Sequence, residues 1–195
     1  MAKFEVIAAV SETLRVVLTA ALSVVDGTPE AVLHDLQFDA PPTIPQLTIF
    51  LFDIAEDPSA RNRPRIRETD PPDLKIRKPP VALVLRYLLT AWGSNAKTAQ
   101  LILGRTIQAL YDKAILSGPD LAGPDGVLAG TDEVLKVTMS PLSLEERSRV
   151  WHAVQKPYRL SVSYEVRVVN LESEDVTLAR PVTRRTLDMD EQERR

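Results

Sequence analysis

The apolar run from Val81 to Trp92, near the middle of the chain, has the clearest hydrophobic pattern. All of its odd-numbered positions before Trp92 are apolar or aromatic, and most even-numbered positions, including Val84 and Leu88, are apolar as well. A strand that is apolar on both faces is covered on both sides, as a central strand of a sheet is. The pattern therefore predicts a central strand here, around which the rest of the chain is organised.

A helical pattern follows this strand. The sequence Gly93-Ser94-Asn95 permits a turn and offers a helix cap, and the apolar period changes there from two to about 3.6. We expect the helix to end at Ser117-Gly118-Pro119, because Gly tolerates a left-handed C-terminal residue and Pro cannot continue the turn. One stripe of this helix would contain Leu103, Thr106, Leu110 and Ala114.

The N-terminal segment, about 25 residues long, has the period of an amphipathic helix. Val10, Val17 and Val24 make its apolar face wider than a small sheet needs. Two interpretations stay open: a broad face towards the core, or a helix that packs partly on a neighbouring subunit. The predicted core stripe consists of Phe4, Ile7, Ser11, Leu14, Leu18, Ala21 and Val25.

Between Pro29 and Pro45 the pattern is irregular. Three further strands and a short helix are predicted by local pattern. Residues 47–54 form a nearly continuous apolar run, typical of a buried strand, and residues 133–139 alternate as a short strand does. Ser143 and Glu146 have the spacing of a capping box, which predicts a helix whose buried side includes Leu144, Trp151 and Val154. Residues 159–169 alternate strictly, with Leu160, Val162, Tyr164, Val166 and Val168 inward and Arg159, Ser161, Ser163, Glu165 and Arg167 outward.

Residues 55–80 differ in composition, with many prolines, charges of both signs and few large apolar residues. Such a segment cannot form a core element by itself. Fully extended, it would span on the order of 80 Å at about 3.3 Å per residue. It is either a disordered hairpin loop, or an arm or long hairpin that becomes ordered against another protein. The alternating Arg61, Arg63, Arg65 and Arg67 would line one side of an extended strand, and with Lys75 and Arg77 they are the candidate interface residues.

Length and charge narrow the classes of partner. The chain has 195 residues and a formal net charge of −3, which fits one domain with extended appendages. Its basic and acidic residues are interspersed, so we expect no nucleic-acid partner. It contains no cysteine, which excludes disulfides and thiolate chemistry. Glu5, Glu12 and Arg15 interrupt the N-terminal apolar run, so we expect no signal peptide or membrane span, and synthesis in the cytoplasm.

The sequence offers no convincing reaction centre. His34 and His152 lack the spacing of metal ligands, and no nucleotide-binding or nucleophile motif occurs. Asp53 with Glu56 or Asp57 resembles a carboxylate pair, but its place at a strand end beside an open loop predicts solvated acids. The two tryptophans, at positions 92 and 151, are expected in the core. We therefore predict no enzyme, no catalytic, cofactor-binding or metal-binding residues, and no cofactor.

Two stretches carry a resemblance to a known family. The run LRYLLTAWG at residues 85–93, with the helix after it, and SLEERSRVWHAVQKPYRLSVSYEVRVV at residues 143–169 resemble cap, or tail-terminator, proteins of extracellular contractile injection systems. These systems are phage-tail-like particles of the antifeeding-prophage type. The resemblance covers the chain in order from Ala2 to Val169 and contains no catalytic motif.

This resemblance implies a structural function. Such proteins are expected to form a homohexameric ring that binds the distal end of the inner tube and the sheath, stops their polymerisation and fixes the particle's length. The protein would be assembled in the cytoplasm and become part of an extracellular or cytoplasmic particle. Another tail component, such as a tube or baseplate adaptor ring, is an alternative, and a small-molecule-binding domain or enzyme is a third.

The same resemblance and the local patterns together predict the fold. We expect an α+β fold of the tail-terminator type, in which a central, mostly antiparallel sheet packs against the N-terminal helix and a second long helix. Residues 1–170 would form a single cap domain, with residues 55–80 as its proline-rich loop or arm. Residues 171–195 would form a C-terminal extension, with a weak strand pattern near Val176 to Leu178 and a charged, solvated end from Asp188 to Arg195.

Overall fold

Three α-helices and nine strands are present in the computed structural model, which describes residues 4–37, 42–70, 73–124 and 126–179. In chain order the elements are α1 (Val6–Leu22), β1 (Glu30–Leu33), β2 (Gln46–Glu56), β3 (Ile66–Asp70), β4 (Asp73–Arg77), β5 (Val81–Trp92), α2 (Ala96–Asp112), β6 (Ile115–Ser117), β7 (Val134–Met139), α3 (Leu144–Ala153), β8 (Ser161–Leu171) and β9 (Val176–Ala179).

The contacts divide the chain into two compact units. The larger unit combines the chain up to residue 62 with residues 80–172, and the smaller unit combines residues 63–79 with the described residues from 173 onward. Most of the segment predicted as a loop or an arm, residues 63–79, therefore shares a unit with the described residues from 173 onward. Its function as an arm stays a prediction.

The larger unit is built on a six-stranded sheet with the strand order β1-β2-β5-β8-β7-β6. Only β1 and β2 pair in parallel, and every other neighbouring pair is antiparallel. The long strand β5 lies between β2 and β8 and pairs with both along most of its length. The predicted α+β class with a mostly antiparallel central sheet is confirmed.

The two faces of β5 contact two separate apolar cores. Leu85, Tyr87 and Leu89 belong to the main core, which includes buried residues of α1 and α2. On the opposite face, Leu88 and Trp92 belong to a second core with Trp151 of α3. The prediction of a central strand that is apolar on both faces is confirmed.

Side chains at the helix starts form the predicted caps. Oδ1 of Asn95 accepts a hydrogen bond from the Thr98 N–H at 2.9 Å at the start of α2. At α3, the Ser143 hydroxyl accepts from the Glu146 N–H at 3.1 Å, and the Glu146 carboxylate accepts from the Ser143 N–H at 2.8 Å. These bonds satisfy N–H groups that have no partner within the helix, so local sequence is enough to predict where both helices begin.

The end of α2 and two short strands were predicted wrongly. The helix ends at Asp112 rather than near Ser117, and residues 115–117 form β6, which pairs with β7. Residues 30–33, predicted as irregular, form β1 and pair with β2. Strands of three or four residues show too few alternations for a period, and partners distant in sequence stabilise them.

Several predicted faces also need correction. Phe4 precedes α1 and is exposed. Leu144 is the first residue of α3 and Leu160 precedes β8, and both are exposed as well. Ser161 and Ser163 of β8, predicted to face water, are buried. They lie on the sheet face that α3 covers, where the Ser163 hydroxyl donates to the carbonyl of Ser140 and Trp151 donates to the Ser161 hydroxyl. The side chain of Val168 lies outside the described residues.

The smaller unit contains a three-stranded antiparallel sheet in which β4 lies between β3 and β9. The weak strand pattern expected near Val176 is confirmed as β9. Within residues 55–80, where the sequence predicts a hairpin loop or a long hairpin arm, β3 and β4 form a hairpin, and β9 provides the further strand that a hairpin needs for stability. The charged end from Asp188 to Arg195 lies outside the described residues.

Candidate interaction surface

The six candidate basic residues do not form one row. Arg61 belongs to the larger unit, and its Nε donates to the Glu56 carboxylate at 3.2 Å. Arg63 and Arg65 precede β3, and Arg67 is the only one of the four arginines within a strand. The expectation that these arginines line one side of a single strand is wrong, because the strand begins only at Ile66.

Two other candidates do lie together. Lys75 and Arg77 are two residues apart on β4 and therefore share a face of the smaller sheet. Glu68 lies opposite Lys75 on the same face and pairs with Arg77 at 3.4 Å. Arg67 lies opposite Ile76 and so belongs to the other face.

The face that carries Lys75 and Arg77 also carries exposed apolar residues. Ile66 and Val176 lie opposite Arg77, and Leu178, which is 64% exposed, lies opposite Lys75. Sequence reasoning missed these three residues, although the alternation around Val176 already pointed to a strand. The face thus combines apolar side chains with cations. This composition is more typical of a surface that contacts another protein than of one that faces only water.

The carboxylates at the end of β2 are engaged in structural contacts. Asp53 accepts from Nη1 of Arg86 at 2.5 Å, across the β2–β5 pair. Asp57 accepts from the Ser59 N–H at 2.9 Å and from its hydroxyl at 2.7 Å, and so caps the short 3₁₀ turn at Pro58–Ala60. Asp57 is buried, so the prediction of a solvated acid is wrong for this residue.

Tyr87 of β5 is a titratable group buried in the main core. The hydroxyls of Tyr87 and Ser11 form a hydrogen bond of 2.9 Å between β5 and α1. Burial raises the pKa of Tyr87 well above its ordinary value, and the hydrogen bond with Ser11 opposes part of this rise. Tyr87 is thus neutral at physiological pH and joins the sheet to α1.

The histidines and tryptophans have structural surroundings. Nδ1 of His34 accepts from the Leu36 N–H at 2.8 Å, and His152 is exposed on α3. Trp92 and Trp151 are buried in the second core, as predicted, and Trp92 donates to the Thr48 hydroxyl at 3.0 Å. Within the described part of the chain, no cluster of three or more histidine or acidic side chains could hold a metal ion. No described helix is long and apolar enough to cross a membrane.

Comparison with known protein families identifies the chain. The Pvc16 N-terminal domain matches residues 9–185. The chain belongs to the Pvc16 N-terminal domain family. The resemblance deduced from residues 85–93 and 143–169 is thereby confirmed at the level of the family. Among the curated proteins, none matches the chain.

Solved structures of two terminator proteins share the fold of this Pvc16 N-terminal domain. One is the sheath/tube terminator of PVC, an extracellular contractile injection system, in the extended state, with a TM-score of 0.66 and 22% identity. The other is the tube-terminating cap of the anti-feeding prophage, with a TM-score of 0.59 and 19% identity. The similarity covers 96% and 97% of this chain but 64% and 62% of those proteins.

Proposed function

We propose that this chain is a structural cap of a contractile, phage-tail-like injection particle. It would bind the distal ends of the inner tube and the sheath and stop both from growing. The observation that carries the proposal is the shared fold with two terminator proteins over nearly the whole chain, together with membership of the Pvc16 N-terminal domain family. The function is structural rather than enzymatic, and the protein leaves the cytoplasm as part of the particle.

The cap would be a homohexameric ring whose partners are its own copies, the tube protein and the sheath protein. A ring needs a heterologous contact that closes, so each copy must offer two different surfaces to its neighbours. The segment that carries Arg61, Arg63, Arg65, Arg67, Lys75 and Arg77 would meet another protein of the particle. The exposed Ile66, Val176 and Leu178 support this, because they lie on the same face as Lys75 and Arg77.

The test is assembly of tubes and sheaths with and without the chain. With it, we expect particles of uniform length that carry extra density at the end opposite the baseplate in negative-stain images. Without it, tubes and sheaths should vary in length. Density at the baseplate would favour an adaptor ring instead, and an unchanged length distribution would contradict the cap function.

A further inference from the structure

The smaller sheet has two open edges. Within the part of the chain that the structure describes, β4 has a neighbouring strand on each side, whereas β3 and β9 each have only one. In an antiparallel pair, every second residue of an edge strand directs its N–H and C=O groups away from the neighbouring strand. Both edges therefore carry backbone donors and acceptors that a further extended strand could bind.

The outer strand β9 lacks the charges, prolines and bulges that commonly prevent an edge from pairing with another chain. Its sequence is Val-Thr-Leu-Ala, and its register with β4 is regular. Val176 and Leu178 are 43% and 64% exposed. The other edge strand, β3, is charged and contains Arg67 and Glu68.

The edges of the larger sheet are less available to a further strand. At one edge, β6 has only three residues. At the other edge, the Ala31 N–H of β1 donates to the Thr19 hydroxyl of α1 at 3.2 Å. Of the two sheets, the smaller one therefore offers the better edges for the addition of a strand.

The two open edges of the smaller sheet match each other in direction. Because β4 is antiparallel to both β3 and β9, these two strands run parallel to each other. They also begin level with each other, because Ile66 and Val176 both lie opposite Arg77. A second copy placed alongside without being turned over would bring its β3 next to β9 of the first copy. Ile66 and Val176 would then lie on the same face of the joined sheet.

The segments that precede the two strands carry opposite charges. Arg65 directly precedes β3, Glu174 and Asp175 directly precede β9, and all three are exposed. Asp175 pairs with Lys78 at 3.1 Å. Arg65 and Glu174 have no ion pair or hydrogen bond within the described residues. Parallel alignment of β3 with β9 would place these two uncompensated charges close together.

We propose that β9 of one copy pairs in parallel with β3 of the next copy, so that the smaller sheets of adjacent copies join. This pairing deepens the proposed cap function, on which it rests, because β9 and β3 are the two different surfaces that a closing ring requires. Val176 of one copy packs beside Ile66 of the next, and Glu174 meets Arg65. The backbone groups at both open edges gain partners through one repeated contact.

Two features favour a second copy over a strand of another protein. A strand from another protein would satisfy one edge and leave the other open, whereas the pairing between copies satisfies both. The opposite charges of Arg65 and Glu174 also lie at the matching ends of β3 and β9. Pairing of β9 with β9 of a second copy would be isologous, so it would close as a dimer and leave β3 open.

The absence of cysteine from the chain permits a direct test. Ile66→Cys and Val176→Cys variants are purified separately, mixed under mild oxidation, and analysed for disulfide-linked dimers in solution and in assembled particles. We expect linked dimers in the mixture and almost none from either variant by itself. The matched control mixes Ile66→Cys with Thr177→Cys, which lies one residue further along β9 on the opposite face and should cross-link much less.

A second measurement exchanges the charges. Arg65→Glu and Glu174→Arg should each weaken self-association by about three- to fivefold, because each places like charges at the contact. The variant with both changes should regain wild-type association, because the ion pair forms again with its polarity reversed. Analytical ultracentrifugation measures the association, and circular dichroism checks the fold. A purely structural effect of either change would not be reversed by the other.

Several results would overturn the pairing. These are no cross-linking in solution or in particles, equal cross-linking in both mixtures, and no recovery of association in the double charge exchange. Dimers from Val176→Cys alone would overturn it as well, because they would indicate an isologous contact through β9. If the wild-type chain fails to occupy the particle end, the cap function fails instead, and cross-linking in solution still decides the pairing.

Discussion

At the scale of single residues, the hydrogen bond between Tyr87 and Ser11 shows how a polar group is accommodated within the main core. Both side chains are buried, and because the Ser11 hydroxyl donates to the Ile7 carbonyl of its own helix, it accepts the hydrogen bond from Tyr87. A buried hydroxyl without a partner is costly, whereas replacing both partners by apolar groups is much less so. The pair therefore specifies how α1 lies on β5 as well as contributing to stability.

The first prediction is a double-mutant cycle on this pair. Tyr87→Phe and Ser11→Ala should each lower the free energy of unfolding by about 1 kcal/mol, and the double variant should lose less than the sum. Urea unfolding measures all three changes. Tyr158→Phe, at an exposed tyrosine, serves as the control and should have no effect; strictly additive losses would contradict the coupling.

The raised pKa of Tyr87 gives a second prediction, on pH. The folded state raises this pKa, so the contribution to stability is complete below the unfolded value of about 10 and is lost as the pH rises above it. The unfolding free energy of the wild type should therefore fall more steeply above pH ~10 than that of Tyr87→Phe, by up to about 1.4 kcal/mol per pH unit. Parallel curves for the two proteins would show that Tyr87 is accessible to ionisation in the folded state.

The third prediction concerns two glycines whose replacement by alanine should change the stability of the protein in opposite directions. Gly123 has a φ of +113°, and a Cβ there would lie 2.9 Å from the Cβ of Ala9 on α1. Gly123→Ala should thus destabilise the protein by about 2 kcal/mol or more through strain and overlap. Gly104→Ala, within α2 and open to solvent, should stabilise it by about 0.5–1 kcal/mol. Thermal melts of both variants test the signs, and a neutral Gly123→Ala would mean that the loop shifts at little cost.

At the scale of elements, the local sequence predicts the start of α2 more reliably than its end. The Asn95 side chain satisfies an N–H of the first turn of α2 through a contact three residues away. The C-terminal end of the same helix depends on β6, whose Leu116 is fully buried and whose strand pairs with the distant β7. Because β6 pairs with β7, the helix ends before Gly118 and Pro119, where the local sequence predicts its end.

The fourth prediction concerns this cap. Asn95→Ala should lower the unfolding free energy by about 1 kcal/mol, because one N–H of the first turn loses its acceptor. Ser94→Ala, one residue earlier and also exposed, should change little. Chemical denaturation separates the two variants, and equal effects would show that the Asn95 side chain does not contribute as a cap.

At the scale of the whole molecule, the basic segment and the residues after β8 combine into one small sheet. The basic residues of this region are distributed over both of its faces and over the larger unit, so a contact with a partner cannot use all of them at once. The face with Lys75, Arg77 and Leu178 offers charge and apolar area together, and is the better candidate for contact with another protein.

The fifth prediction tests the basic segment as an arm. Changing Arg61, Arg63, Arg65 and Arg67 together to Ser removes the charge but keeps every proline. The isolated chain should keep its fold with a small change in melting temperature, because surface substitutions cost little. Assembled particles should lose the cap or vary in length in electron micrographs. Particles of normal length that carry the cap would show that the segment is only a loop. A chain that no longer folds would show that the segment belongs to the core.

The sequence by itself determined the central strand, the starts of α2 and α3, the two buried tryptophans and the family. The elements are recorded locally, in the apolar period of the strand and in caps made by residues close in sequence. The family is recorded in stretches such as LRYLLTAWG at residues 85–93. Only the tertiary structure decided the short strands β1 and β6, the burial of Ser161 and Ser163, and the pairing of residues 63–79 with β9. In each of these cases the stabilising partner is far away along the chain, so no local pattern records it.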